Sequence, residues 1–141
     1  MKHLLYLSTL ALVLLCFNQQ SFAQEMDGHV FVVTNFERAF PENGSFKELD
    51  SLTSIYMDTQ YKDNEYVQSY KVLTHWWGHD NRDFIQVLEV KSWDDITKAY
   101  DKGDELIMKA MPNKSDRQSF FKAFNKYFTG KHSDEIYREI K

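Results

Sequence analysis

The chain of 141 residues has one cysteine, two prolines and five glycines. The cysteine is Cys16, inside an apolar run near the amino terminus. The rest of the chain can therefore form no disulfide, present no thiol nucleophile and build no cysteine-ligated metal site. So little proline and glycine leaves no linker to divide the chain, and a length of this order suits one domain with one core. Basic charge is short as well. Of 17 Lys and Arg, Lys2 stands before the apolar run, which leaves 16 against 21 Asp and Glu and a net charge of −5. An acidic domain without a basic stripe is a poor match to nucleic acid, and none is expected as a partner. The one long apolar run, Leu4 to Phe17, is too short to span a bilayer comfortably. Lys2 and His3 precede it and Ser21-Phe22-Ala23 follows, the pattern of a signal peptide cut after Ala23. The expected product is a secreted or periplasmic domain, residues 24–141, with no membrane span.

What the chain does have is aromatic and β-branched. Tyr66 to Lys91 (YVQSYKVLTHWWGHDNRDFIQVLEVK) sets two apolar runs about the polar break Gly78-His79-Asp80-Asn81, which predicts a long β-hairpin. His29 to Arg38 (HVFVVTNFER) predicts a first strand. Ser45 with Glu48 three residues on is a capping box, and Phe46, Leu49, Leu52, Ile55 and Tyr56 recur at helical spacing, placing a helix over 46–61. Ser92 with Asp95 predicts a second cap and a helix from Trp93 to Met111, weakened at Gly103 by about 1 kcal/mol relative to alanine. Ser115 with Gln118 predicts a third. Its Phe120, Phe121, Phe124, Tyr127 and Phe128 read as an aromatic core stripe in a helix ended by Gly130. Asp134 to Ile140 is either a closing strand or a last helical turn.

The order strand, helix, strand, strand, helix, with an extra helix and a fourth strand, predicts an α+β fold. A ferredoxin-like split βαβ unit makes an antiparallel sheet with helices on one face. Both alternate sets of the first strand are apolar, Phe31 and Val33 against Val30, Val32 and Phe36. A sheet open to water alternates more cleanly, so a second copy of the same sheet is expected to cover it in a homodimer.

The element order and the run Val87 to Asp95 (VLEVKSWDD), a strand leading into a Ser-Trp helix start, resemble the dimeric α/β-barrel superfamily with its antibiotic-biosynthesis-monooxygenase-like, EthD-like and NIPSNAP-like groups. The resemblance covers about residues 29 to 111. It implies a ferredoxin-like fold, dimerisation through sheet faces and a ligand cleft between sheet and helices. It also implies a small-molecule site without choosing among oxygenases, lyases and proteins of no known activity. In the haem-degrading branch, Asn35 and Trp93 would match two functional positions, but the helix from Trp93 to Met111 has no histidine to serve as the axial ligand.

His75, Trp76, Trp77, His79, Asp80, Arg82 and Asp83 gather at the hairpin tip. If Trp77 pairs with Phe84, His75 faces Gln86, His79 faces Arg82, and His75 lies beside Trp77 beneath the helices. A histidine so placed suits a general base, since imidazole exchanges protons near neutral pH. His75 and Arg82 are therefore the catalytic candidates, and Asn35, Trp77, His79, Gln86 and His132 the ligand-binding ones. The plainer reading of His75 is a hydrogen-bonded core histidine. His75 and His79 near Asp80 or Asp83 could hold a divalent metal, but no H-E-x-x-H or facial-triad spacing is present, and neither metal nor cofactor is assigned. His132-Ser133-Asp134-Glu135 reads as a polar cluster with Ser133 as a cap. Neighbours in a tail do not converge as a Ser-His-Asp triad. The expectation is an exported small-molecule-binding barrel, a cofactor-independent oxygenase or lyase with a histidine base. The alternative is a non-catalytic homodimeric binding or assembly module.

Overall fold

In the computed structural model, which describes residues 28–78 and 83–140, the chain runs β1 (Val30–Arg38), α1 (Phe46–Tyr61), β2 (Val67–Thr74), β3 (Asp83–Val90), α2 (Asp95–Ala110), α3 (Lys114–Asn125) and β4 (Phe128–Arg138). The expected signal peptide, His79 and Arg82 lie outside the described residues. The four strands form one sheet in the order β2-β3-β1-β4 with every pair antiparallel. This is the ferredoxin-like arrangement, with α3 inserted before the last strand. Among the described residues no helix is long and apolar enough to cross a membrane.

Alternation assigns the faces. Val30, Val32, Thr34 and Phe36 of β1 pair with Val90, Leu88, Gln86 and Phe84 of β3, and this set lies under the helices. It joins Met57, Tyr61 and Ala99 in one core cluster, and Leu49, Phe124 and Tyr127 in another. The opposite set, Phe31, Val33, Ile85 and Val87, is only half-buried on the open face, with Leu73 and Tyr137 exposed beside it.

The helix starts follow the expected chemistry with shifts. At α1 the Ser45 hydroxyl accepts from the Glu48 backbone N–H at 3.1 Å, but the return arm of the capping box is relayed. The buried Tyr127 hydroxyl accepts from the Ser45 N–H at 2.9 Å and donates to the Glu48 carboxylate at 2.6 Å. At α2 the Ser92 hydroxyl bonds the Asp95 carboxylate at 2.7 Å, and the helix begins at Asp95, leaving Trp93 in the preceding turn and exposed. At α3 Asn113, not Ser115, is the cap, its side-chain oxygen accepting from the Ser115 N–H at 2.9 Å.

Gly103 does not break α2. A Cβ there would stand 2.4 Å from Cγ of Gln60, so the glycine is what lets α1 and α2 approach closely. Asn64 ties the same region together, donating to the backbone oxygens of Gln60 and Ala99 and accepting from the Tyr66 N–H.

The expected third helix is too long. α3 stops at Asn125, and Phe128-Thr129 already belongs to β4, as aromatic and β-branched residues favour. The tail is a strand. Ser133 is therefore no helix cap but a strand residue opposite Asn35. Between the pairs Phe36↔His132 and Arg38↔Phe128, β4 spends four residues against two of β1, bulging at Gly130 with φ of +85°.

Candidate functional site

The bulge opens a cavity of about 430 Å³ between the helix face of the sheet and α1 and α3. Phe36 and Gln86 form its floor, Tyr56 comes from α1, Phe121, Phe124 and Asn125 come from α3, and Phe128, Thr129, Gly130 and His132 form the β4 wall. The rings pack on one another. Phe36 lies 5.6 Å from Phe128, Tyr56 is 5.2 Å from Phe124, and Phe124 meets Phe128 edge-on at 5.1 Å. Burial, followed by the charge of Asp104, pushes the Tyr56 hydroxyl up to about 12, so the phenol stays protonated through the physiological range.

The polar groups of the cavity are few and separated. Gln86 is on the floor and Asn125 on the roof, and the described residues form no hydrogen bond to either side-chain amide. His132 stacks on Phe36 with centroids 5.5 Å apart, and its Nε2 is 3.6 Å from Asp134 Oδ2. Residues two apart on a strand share a face, so the tail does bring this histidine and aspartate together. Ser133 points the other way. An apolar enclosure with a few convergent polar groups is the usual form of a small-molecule site.

Of the residues singled out in the sequence, Gln86 and His132 line this cavity. Asn35, His75 and Trp77 are elsewhere, and His79 and Arg82 lie outside the described residues. β2 pairs Thr74, not Trp77, with Phe84, and Val72 takes the place opposite Gln86 that was expected for His75. The offset is three residues, and an odd offset moves every side chain to the other face. His75 consequently follows the end of β2 instead of lying beneath the helices. Its backbone N–H donates to the Asp83 oxygen at 3.4 Å, and its Nε2 is buried with no partner among the described residues. A Cβ on Gly78 would be 3.0 Å from the His75 ring, and Gly78 itself has φ of +142°. Trp77 is 92% exposed and enters no cleft. Asn35 lies on the open face, the side away from the cavity, with its side-chain oxygen buried and unpaired among the described residues. Trp93 is likewise remote from the cavity lining. The two-histidine metal idea needs His79, outside the described residues. Among the described residues no three His, Cys, Asp or Glu side chains gather closely enough to hold a metal ion.

The sequence reading missed Phe36, Tyr56, Phe121, Phe124, Asn125, Phe128, Thr129 and Gly130 as lining residues. The available signal was the aromatic stripe from Phe120 to Phe128, read whole as core. Only Phe124 and Tyr127 of it are fully buried. The other three rings are half-buried, and two of them, Phe121 and Phe128, face the cavity.

A second, more open groove of about 360 Å³ runs between α1 and β2, past Asp50, Ser54 and Asp58. Tyr70 donates to Asp58 at 2.8 Å, and Ser54 faces the same carboxylate at 3.4 Å. Those bonds occupy the polar groups at one end of the groove.

No family model and no curated protein matches the chain. Solved structures do. SnoaB from Streptomyces nogalater, a cofactor-independent oxygenase, superposes with a TM-score of 0.50 at 10% identity, covering 81% of this chain and 95% of that one. A Bordetella bronchiseptica protein named for the antibiotic biosynthesis monooxygenases gives 0.53 at 7% identity, covering 81% and 99%. A Caulobacter crescentus protein of the same naming gives 0.53 at 10% identity, covering 82% and 93%. The chain thus has the ferredoxin-like fold of the antibiotic-biosynthesis-monooxygenase-like proteins, as the strand and helix order predicted.

Proposed function

We propose that the protein is an exported, homodimeric small-molecule-binding α/β barrel whose ligand occupies the aromatic cavity, and that its chemistry is that of a cofactor-independent oxygenase or lyase relying on a histidine base. The observation that carries the reading is the cavity itself: rings packed at tilted and edge-on angles on three sides, with two side-chain amides that the described residues leave unbonded. Rings of this kind favour a flat, largely apolar ligand, and the amides on floor and roof suit polar atoms on its edges. The shared fold with a cofactor-independent oxygenase supports the class of chemistry by analogy. Export rests on the pattern of residues 1 to 23. The dimer rests on the apolar open face of the sheet.

The test is a thermal-shift screen of residues 24–141 against flat aromatic compounds, joined to mass spectrometry of small molecules released from the purified protein. Binders should raise the melting temperature, and Phe121→Trp, which fills the cavity, should abolish the rise. A protein that releases nothing and is stabilised by no compound would point instead to the non-catalytic assembly module.

A further inference from the structure

We propose that His132 is the proton acceptor of the cavity and that Asp134 is its positioning residue, together taking a proton from a flat ligand that carries an acidic O–H or N–H. This rests on the cavity being the ligand site.

The geometry on β4 supplies both members. His132 lines the cavity and is held by its stacking on Phe36. Its Nε2 is 3.6 Å from Asp134 Oδ2, with both side chains about half exposed at the cavity mouth. With Nε2–H directed at the carboxylate, the lone pair left for a ligand is on Nδ1. Asp134 is anchored from behind, because its Oδ1 accepts from the Thr34 hydroxyl at 2.7 Å. Burial first, and the Asp134 charge second, push the hydroxyl of Tyr100 on α2 up, so it stays protonated near that carboxylate. A base oriented by a carboxylate that is itself hydrogen-bonded is the arrangement general-base catalysis uses, reached here with no serine in line.

In the proposed step the ligand O–H or N–H bond breaks, its electron pair stays on the ligand, and the proton moves to Nδ1. The resulting imidazolium faces Asp134, which offsets the new charge. No electrons leave the ligand, so the step needs no oxidant. The groups that face His132 from other elements are Tyr56 of α1, which stays protonated, and the uncharged Phe121, Phe124 and Asn125 of α3. Glu37 and Lys131 pair with each other nearby at 3.5 Å. The carboxylate of Asp134 is the charge that stands beside the imidazole on β4, and Arg38 of β1 is on the same sheet face two residues beyond Phe36.

The experiment uses 7-hydroxycoumarin as the probe, because its phenol and phenolate forms absorb at different wavelengths. Bound to the wild-type protein, the dye should ionise at lower pH than in water, its apparent acidity constant rising about tenfold, as expected when a positioned base accepts the proton. His132→Gln should bind the dye within about threefold of wild type and lose that shift, and Asp134→Asn should bind equally and lose most of it. Dye that binds wild type but ionises as it does in water overturns the base while leaving the cavity reading intact. The same follows if the shift persists in His132→Gln, or if that variant loses binding and melting temperature together, as a structural histidine would. Dye that fails to bind, or binds equally to Phe121→Trp, overturns the cavity reading and this proposal with it.

Discussion

One hydroxyl, that of Tyr127, joins three parts of the chain. It accepts from the Ser45 N–H that opens α1, donates to the Glu48 carboxylate in the first turn, and belongs to a ring packed beside Leu49, Phe84 and Phe124. Tyr127→Phe keeps the ring and strands the Ser45 N–H, an orphan donor of the helix start. A lost cap of this kind costs about 1 kcal/mol, and the melting temperature should fall by about 4 °C with an unchanged far-UV spectrum. The same variant changes behaviour in acid. Lys126 first, and the Tyr127 hydroxyl second, hold the Glu48 carboxyl below its ordinary value. Glu89 is lowered by Ser69 and then His29, and Asp95 by Lys98 and then Ser92. A carboxyl lowered in the folded state contributes stability above its ordinary range, and that contribution is lost as pH falls through the range toward the lowered value. The wild type should therefore lose stability as pH drops below about 4.5. Tyr127→Phe removes one of the bonds that lower Glu48, so its acid-linked loss should be smaller and the stability gap to wild type should narrow below about pH 4.5, which denaturant midpoints measured across pH would reveal.

Elements were more legible than their registers. The first three strands and the three helices existed in the pattern, because apolar periodicity and capping residues act locally, while the tail that forms β4 was left open between strand and helix. The β2–β3 pairing was misjudged because a short turn was assumed, whereas eight residues, 75–82, connect the strands. Register depends on the length of that connection, and a three-residue error removed His75 and Trp77 from the cavity side. Gln86 was singled out through the same misjudged pairing and His132 as part of a polar tail cluster, and both line the cavity because β1 pairs Gln86 with Thr34 and His132 with Phe36 on the helix face. The bulge at Gly130 was hidden because glycine after an aromatic run also signals a helix end. Gly103 shows the reverse conflict, between propensity and packing. Helix propensity alone says that Gly103→Ala adds about 1 kcal/mol of stability. The new methyl would meet the Gln60 side chain at 2.4 Å, with Nε2 and Cδ of the same residue at 3.0 and 3.1 Å. Gln60 is buried, so it has little room to yield. The substitution should destabilise by about 1–3 kcal/mol, as overpacking does, and a urea midpoint higher than wild type would refute this account of the α1–α2 contact.

At the scale of the whole molecule, the sheet is covered on one side only. Helices bury the face that carries Val32, Phe84, Leu88 and Val90, while Phe31, Val33, Ile85 and Val87 form an apolar stripe along the central strands of the other face. The stripe has a polar border. His29 and Ser69 both bond Glu89 at one end, and Lys71 and Glu135 lie on the flanking strands. An apolar centre with a polar rim is the anatomy of a protein interface, and two sheets stacked about 10 Å apart would bury both stripes. Because a twofold interface brings the same patch against itself, one substitution in the stripe acts twice. Val33 and Val87 are paired across β1 and β3 at its centre, so lysine at either would place two charges against each other and against apolar side chains. Residues 24–141 of the wild type should sediment as a dimer at micromolar concentration. Val33→Lys and Val87→Lys should each sediment as monomers with an unchanged helix and strand content, since neither side chain supports the helix-side core. A wild type that sediments as a folded monomer at that concentration would overturn the dimer, and variants that remain dimeric would place the interface on another surface.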